Sequence, residues 1–176
     1  SNEAFNMLIQ DYKNKENRID ISKYLQFKFP KYKNLMDEII IVDTGSTDKT
    51  KEIASLYTNK IYDFPWINDF AAARNFSFSK ATKDYIMWLD ADDVLLYEDN
   101  KKLQQLKENL DTSVDMVIMR YNMSFDKDDK PIYSFNRERL LKRSCNYTWS
   151  GQVHETIDYF GNIIYSSIGI SHKKIK

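Results

Sequence analysis

The sequence predicts an α/β fold, in which a mostly parallel sheet is flanked by helices. One observation is that short apolar runs alternate with amphipathic segments from residue 39 onward. A second is that these runs are continuous, which is typical of strands buried on both faces. A third is that acidic residues directly follow two of the runs, at the strand ends where open α/β sheets bind their ligands. The fold class and the position of a ligand site are therefore predicted together.

The first 38 residues carry a helical pattern. Phe5, Leu8, Ile9 and Tyr12 recur at helical spacing, which predicts a helix over roughly residues 3–14. Polar residues interrupt this run, whereas a central strand would be continuously apolar. If the segment is helical, the place in the sheet beside "IIIVD" is empty, or another part of the chain or a second copy fills it. A homo-oligomer is one such solution.

A second short helix is expected between Ile21 and Lys28, ending near Pro30. Together the two helices define a helical N-terminal segment, residues 1–38. The domain itself is then expected at residues 39–176.

The elements of this domain follow in order. The first buried strand is "EIIIVD", and the helix after it is "STDKTKEIASLY", with Thr47 as N-cap and Asp48 near its positive end. The next strand is "KIYDF", and the next helix is "NDFAAARNFSFSKAT", capped by Asn68 or Asp69. A third buried strand, "YIMWLD", precedes the amphipathic helix "EDNKKLQQLKENL".

The pattern changes after the next strand, "DMVIMRYNM". Three further segments lack long intervening helices and read as strands joined by turns: "PIYSFNRERLLKR", "YTWSGQVHETIDYF" and "NIIYSSIGISH". They predict a smaller mixed or antiparallel C-terminal extension of the sheet.

Composition narrows the class of protein. The 26 basic and 26 acidic residues cancel, which argues against a nucleic-acid partner, because such binding rests on excess positive charge. The single cysteine, Cys145, rules out a disulfide framework within the chain and favours a reducing, cytoplasmic location. No apolar run approaches the ~20 residues that span a bilayer.

The acidic clusters are the strongest functional signal. Asp43 closes one buried strand, and Asp90, Asp92 and Asp93 close another. Carboxylates crowded at one sheet edge repel each other unless a cation or a donor-rich ligand is present. Carboxylate and phosphate oxygens are the usual shell of Mg²⁺, and Mn²⁺ accepts the same ligands. The alternative is that Asp92 or Asp93 only starts a turn and caps the next segment.

Three motifs resemble family 2 glycosyltransferases of the GT-A fold. They are "DEIIIVDTGSTDKTKEIA", "WINDFAAARNFSFSKATKDYIMWLDADD" and "WSGQVHETI", and with their flanks they cover residues 37–172. The subgroup they resemble most is bacterial and carries tetratricopeptide repeats after the catalytic domain. A bacterial S-glycosyltransferase acting on a peptide is a similar relative.

The resemblance implies a Rossmann-like sheet, a nucleotide-sugar donor, commonly a UDP-sugar, and Mn²⁺ or Mg²⁺ as cofactor. It divides the domain into a nucleotide-sugar half, about residues 39–110, and an acceptor half, about residues 111–176. The acceptor stays open between a peptide, a glycan and a lipid-linked sugar. The location expected is cytoplasmic, with peripheral attachment to the inner face of the membrane as an option.

The resemblance also implies roles for the donor and metal residues. Asp43 would contact the nucleoside, and Arg74 would lie near the base or the diphosphate. Asp90 would reach the ribose, Asp92 would bind the metal, and His172, after the last strand, would complete the metal or diphosphate site.

The acceptor side is implied by the "WSGQVHE" motif. Trp149 is expected to contribute to the donor site, and His154 and Glu155 are the expected catalytic residues, with Glu155 as the base. A single base on the face opposite the leaving group would give inversion at the anomeric carbon.

Several of these residues also have a purely structural interpretation. Arg74 could pair with Asp69 on a helix surface, and His154 could be a hydrogen-bonded structural histidine. Tryptophans more often fill cores than stack on sugars, so Trp66 and Trp149 could simply be buried. Alternate positions of a strand usually carry solvated charge, although these basic residues could reach the diphosphate: Arg137, Arg139, Lys142 and Arg143.

The sequence departs from the family at its start. The family begins with a strand that runs into a Lys-Asn-Glu-Glu-like turn, and the nearest candidate here is a partial match at Lys13, Asn14 and Glu16. This departure leaves two alternatives to a glycosyltransferase. One is a non-catalytic domain that binds a sugar, a nucleotide or a protein. The other is a nucleotidyltransferase, which also uses paired aspartates at strand ends but would need a Gly-rich basic loop that the sequence lacks.

Overall fold

The structure is a computed structural model that describes the backbone of residues 5–11 and the whole chain over residues 34–173. Within these ranges the elements are, in chain order, β1 (Phe5–Asp11), β2 (Glu38–Asp43), α1 (Thr50–Ser55), β3 (Ile61–Asp63), α2 (Phe70–Lys80), β4 (Tyr85–Asp90), β5 (Asp93–Leu95), α3 (Tyr97–Asn109), β6 (Met116–Phe125), β7 (Pro131–Lys142), β8 (Trp149–Ser150), β9 (Thr156–Ile157) and β10 (Ile163–His172). A 3₁₀ turn at Arg143–Cys145 follows β7.

Eight of these strands form one sheet in the order β3-β2-β1-β4-β7-β6-β10-β5. The four strands β3, β2, β1 and β4 are mutually parallel. Their carboxyl ends therefore lie along one edge. Strands β8 and β9 form a separate antiparallel pair.

The helix predicted over residues 3–14 is wrong. Residues 5–11 form β1, which lies between β2 and β4 and pairs in parallel with both, from Asn6 opposite Glu38 to Asp11 opposite Asp43 on one side. A pair of buried strands with no partner between them would leave many backbone groups unbonded, at about 1–3 kcal/mol each. The free-energy cost of those unbonded groups exceeds the gain from a local helical pattern, so the N-terminal segment forms the strand between β2 and β4. The second predicted helix and the Lys13 to Glu16 turn lie outside the described residues.

The prediction of a mostly parallel sheet is also corrected, because the sheet is mixed. β7 runs antiparallel to both of its neighbours, β4 and β6, and β5 runs antiparallel to β10. Among the neighbouring strands β7, β6, β10 and β5, only β6 and β10 run parallel to each other. Of the strands expected in the C-terminal extension, β7 and β10 continue the same sheet, whereas β8 and β9 form the separate pair. A tight turn between β6 and β7, closed by hydrogen bonds between Asp126 and Lys130, reverses the chain without a helix.

The helix boundaries follow local capping. Asp69 caps α2, since its Oδ1 accepts the backbone N–H of Ala72 at 2.8 Å. Thr47 does not cap α1, which begins three residues later; Asp48 Oδ1 instead accepts the N–H of Thr50 at 2.9 Å. In both cases a carboxylate satisfies an amide that the helix itself leaves unbonded.

Apolar side chains cover both faces of the sheet. One cluster includes Ile53 and Ala54 of α1 and Leu103 of α3, packed on Met87 and Leu89 of β4. The other includes Ala71 of α2, with Ile86, Trp88 and Trp149. The sheet is therefore the middle of three layers. None of the helices in the described part of the chain is long and apolar enough to cross a bilayer.

Candidate active site

The acidic residues collect at the carboxyl edge of the sheet. β4 ends at Asp90, and a short turn leads into β5, where Asp93 pairs with His172 at the end of β10. Asp93 also closes that turn, because its Oδ2 accepts the backbone N–H of Asp90 at 3.0 Å. β5 was not predicted from sequence, and it is the element that brings the end of β10 to the acidic turn.

Asp92, Asp93 and His172 form a cluster of potential metal ligands. One ligand atom from each lies within 4.8 Å of the others. His172 Nδ1 is 3.3 Å from Asp92 Oδ1, 3.7 Å from Asp93 Oδ1 and 3.2 Å from the hydroxyl of Tyr121. A hydrogen bond to Asp92 and the neighbouring carboxylate of Asp93 raise the pKa of His172 to about 9. The structure thus brings together the two residues predicted to bind metal and adds Asp93.

This cluster fits a divalent cation. Asp93 Oδ1 is buried and has no hydrogen-bond donor within bonding distance among the described residues, so one acceptor is left for a cation. Two carboxylates with the neutral imidazole of His172, whose proton a bound cation would displace, suit Mn²⁺, and the carboxylates alone suit Mg²⁺. Burial alone would raise the pKa of the Asp93 carboxyl, but Arg139 and His172 outweigh it and lower that pKa, so the carboxylate stays charged.

Arg74 joins two other predicted site residues. Its Nη2 is 3.1 Å from Asp90 Oδ1, and its Nε donates to Glu155 Oε1 at 2.7 Å. The guanidinium lies over the rings of Trp88 and Trp149, with Cζ at 4.3 Å and 4.8 Å from the two ring centroids. The expected surface pair with Asp69 is not what the structure shows, because Arg74 is buried and turned toward the acidic edge.

Asp90 lies between the Arg74–Glu155 ion pair and the cluster of Asp92, Asp93 and His172. Burial raises the pKa of its carboxyl, and the Arg74 guanidinium opposes that rise. Through its N–H bond to Asp93 and its ion pair with Arg74, Asp90 connects the cluster to Glu155.

The "WSGQVHE" motif forms a turn beside α2. Trp149 is only 2% exposed, its backbone exchanges hydrogen bonds with the side chain of Asn75, and its ring meets Trp88 edge to face. Gly151 has φ +96°, a left-handed conformation that favours glycine. His154 is exposed, also with positive φ, at 59°.

A cavity of about 450 Å³ opens beside Glu155, lined by Phe70, Arg137, Val153, His154, Glu155 and Thr156. His154 and Glu155 thus line the same cavity. Trp149 is instead a core residue, and its ring contacts the Arg74 guanidinium. The Glu155 carboxylate lies at the junction between this cavity and the Arg74 network.

Asp43 has a separate environment. Its side chain is fully buried, and its Oδ1 accepts the N–H groups of Gly45 and Ser46 at 3.1 Å and 2.8 Å. Its Oδ2 has no hydrogen-bond donor within bonding distance in the described chain, although Lys51 Nζ lies 3.7 Å away. An acceptor oxygen at the end of β2 remains available to a ligand.

Sequence reasoning missed the role of Arg139. It was grouped with the solvated charges of β7, yet it is completely buried and forms a 2.8 Å ion pair with Asp93 Oδ2. The only signal in the sequence is its position directly before Leu140 and Leu141, inside the apolar part of the strand.

Comparison with known proteins identifies the family. The profile of glycosyl transferase family 2 matches residues 24–163, most of the chain. The chain belongs to glycosyl transferase family 2.

Two curated relatives illustrate this family 2 chain's similarities. It is 46% identical over 126 residues to a TPR repeat-containing protein of Synechococcus elongatus, which covers 72% of this chain and 30% of the relative. It is 31% identical over 132 residues to the prophage-derived glycosyltransferase SunS of Bacillus subtilis, which covers 70% of this chain and 29% of the relative. The family 2 chain thus spans less than a third of the length of these relatives.

Solved structures share the fold of this family 2 chain. A mycobacterial protein matches 99% of the chain and 68% of its own, with a TM-score of 0.64 at 14% identity. Glucosyl-3-phosphoglycerate synthase of Mycobacterium tuberculosis, solved with Mg²⁺ and UDP, matches 99% of the chain and 73% of its own, with a TM-score of 0.60 at 14% identity. These matches show a mixed α/β fold of the GT-A type.

Proposed function

We propose that this family 2 domain transfers a sugar from a nucleotide-sugar donor, a UDP-sugar, to an acceptor, with the help of Mn²⁺ or Mg²⁺ and with inversion. The observation that carries the proposal is the cluster of Asp92, Asp93 and His172 at the carboxyl edge of the sheet, connected through Asp90 and Arg74 to Glu155. The proposed metal site and the candidate base therefore belong to one network of ion pairs and hydrogen bonds.

The donor side rests on Asp43 and the acidic turn. A divalent cation held by Asp92, Asp93 and His172 would act as a Lewis acid on the leaving diphosphate. The free acceptor oxygen of Asp43 would bind the nucleoside at the end of β2. Asp90, held by Arg74, would orient the ribose. Each role uses a carboxylate at the carboxyl edge of the sheet, where α/β sheets bind ligands.

The acceptor side rests on Glu155. Transfer passes through an oxocarbenium-like state, so the acceptor needs a base on the face opposite the diphosphate. Glu155 borders the cavity with Phe70 and His154, and Arg74 holds one of its carboxylate oxygens in place. The other oxygen is the one we assign to proton abstraction, and a single such base leads to inversion.

The structural neighbours support the choice of donor and metal. The synthase from Mycobacterium tuberculosis was solved with Mg²⁺ and UDP, and also with Mn²⁺ and UDP-glucose at a TM-score of 0.59 to this chain. The alternative of a non-catalytic binding domain rested on the helical pattern of the N-terminus and on the partial match at Lys13, Asn14 and Glu16. Because β1 fills the central place in the sheet, the first reason no longer applies. The second falls on residues outside the described ranges.

A thermal-shift experiment tests the proposal. UDP with Mn²⁺ should raise the melting temperature, and GDP and CDP should raise it less. With EDTA the UDP effect should disappear, because the diphosphate is held through the metal. Asp92→Asn should remove most of the stabilisation, whereas Asp128→Asn, in the turn between β6 and β7, should leave it intact. Equal stabilisation by UDP in EDTA would contradict the metal assignment.

A further inference from the structure

Arg139 is a buried cation that touches the proposed metal cluster without belonging to it. Its side chain and that of Asp93 are both 0% exposed, and Nη1 lies 2.8 Å from Asp93 Oδ2. The same Nη1 donates to the backbone carbonyl of Trp88 at 3.2 Å. β7 therefore places a permanent positive charge directly behind the acidic turn.

Two aromatic rings hold this guanidinium in place. Its Cζ is 3.7 Å from the ring centroid of Trp88 and 4.3 Å from that of Tyr121. Tyr121 in turn contacts His172, one of the candidate metal ligands. The rings fix the plane of the guanidinium and exclude water from it, so the charge acts on Asp93 with little screening.

Stability alone does not explain this arrangement. Nε and Nη2 of Arg139 are buried and have no hydrogen-bond acceptor within bonding distance in the described part of the chain. Buried ion pairs of this kind often stabilise a fold no better than apolar side chains of similar size. A residue with two unsatisfied donors in a core is better explained by its effect on its charged partner.

Arg139 contacts one oxygen of the Asp93 carboxylate and not the other. Oδ2 is occupied by Arg139 and by the N–H of Asp90 at 3.0 Å. Oδ1 is left without a donor within bonding distance among the described residues and lies toward His172 Nδ1, at 3.7 Å. Arg139 thus determines which oxygen of Asp93 is available and turns it toward Asp92 and His172.

We propose that Arg139 is a positioning residue for the divalent cation. It orients Asp93 Oδ1 as a metal ligand and supplies the counter-charge that lets Asp90, Asp92 and Asp93 remain close together before a cation binds. This inference rests on the proposed metal-dependent function. Its consequence is that Arg139 sets the affinity for the cation although it does not contact it.

Arg120 provides a control. It lies on β6, the neighbour of β7, and its Nη2 donates to Ser134 Oγ at 2.7 Å at an exposed position. Methionine at either position keeps a long, apolar side chain and removes the charge.

The test measures Mn²⁺ binding directly, from the electron paramagnetic resonance signal of free Mn²⁺ at a fixed, saturating concentration of UDP. Arg139→Met should weaken Mn²⁺ binding at least ~10-fold, as expected for residues that orient metal ligands. Arg120→Met should leave it unchanged. Melting temperatures in EDTA report separately on packing, so a purely structural role would lower them and leave the Mn²⁺ affinity of the folded protein unaltered.

The outcomes separate this inference from the proposed function. If the unaltered chain binds Mn²⁺ and Arg139→Met binds it equally well, the positioning role is overturned and the metal site stands. If the unaltered chain does not bind Mn²⁺ with UDP, both are overturned. Should Arg139→Met fail to fold, Arg139→Lys decides: a loss of Mn²⁺ affinity larger than that of Arg120→Lys supports the role, and an equal affinity overturns it.

Discussion

Arg74 shares one guanidinium between Asp90 and Glu155, and this contact connects the proposed donor and acceptor sides. The guanidinium is buried against Trp88 and Trp149, so no water can replace it. The two carboxylates come from distant parts of the chain, and each would lose its partner if Arg74 were removed. A single residue thus affects both the stability and the chemistry of the site.

Arg74→Met should destabilise the protein by about 3–5 kcal/mol, the cost of removing one partner from a buried ion pair. The free energy of unfolding in urea is the measurement. Arg143→Met is the control, because the Arg143 side chain donates to the backbone carbonyl of Lys83 at an exposed position. Equal losses in the two variants would show that the Asp90 and Glu155 contacts contribute nothing particular.

Glu155→Gln should keep donor binding and lose turnover. The amide keeps an oxygen that can accept from Arg74 Nε, but it cannot take a proton from an acceptor. We expect turnover to fall at least ~100-fold, the low end of general-base contributions. Release of UDP from UDP-glucose and UDP-N-acetylglucosamine, with water as the acceptor, measures this without knowledge of the natural acceptor. Glu98→Gln, on the exposed face of α3, is the control; normal turnover in Glu155→Gln would place the base elsewhere.

β1 is the element on which the sheet depends. It pairs over six positions with β2 and over six with β4, so β2 and β3 are joined to the rest of the sheet through it. A proline in this strand would remove a ladder hydrogen bond in the middle of the sheet.

Ile9→Pro should therefore prevent cooperative folding, whereas Lys127→Pro should be tolerated. Lys127 lies in the turn between β6 and β7, where Asp129 N–H bonds to Asp126 O, and proline suits the second position of such a turn. Circular dichroism during thermal unfolding distinguishes the two variants. In the unaltered protein, the amides of residues 7–9 should exchange with deuterium as slowly as those of residues 40–42. Rapid exchange of the former would contradict a central β1.

The stability of the whole molecule without metal should depend on His172. Its pKa is about 9 in the folded protein, against 6.5 for an ordinary histidine, because Asp92 accepts a hydrogen bond from the charged ring and the carboxylate of Asp93 lies beside it. A raised pKa in the folded state means that the contribution to stability is complete below pH 6.5 and is lost as the pH rises through about 9.

In EDTA, His172→Gln should therefore melt well below the unaltered protein at pH 6 and close to it at pH 9.5. Tyr121 faces the same ring and titrates above this range, so it leaves the comparison undisturbed. The melting temperatures of both proteins across this range are the measurement. A constant difference would show that the ring contributes by packing and not by its charge.

The local features of this protein follow from short stretches of its sequence. Continuous apolar runs marked β2, β4 and β6, helical spacing marked α1 to α3, and Asp69 marked the start of α2, because each depends on neighbours a few residues away. The crowding of Asp90, Asp92 and Asp93 was likewise sufficient to predict a ligand at the end of β4. These signals are local, since periodicity and capping are decided within one element.

The position of β1, the direction of β7 and the partner of Arg139 depend on contacts between distant parts of the chain. The segment at residues 5–11 has a helical pattern, yet it became β1, since two buried strands had backbone groups to satisfy. β7 became an antiparallel central strand, because a turn can reverse the chain wherever a sheet edge is open. Arg139 reads as a surface charge until β7 is placed beside β4, where Asp93 becomes its partner. Such long-range pairings depend on which strands become neighbours, and no local pattern carries that information.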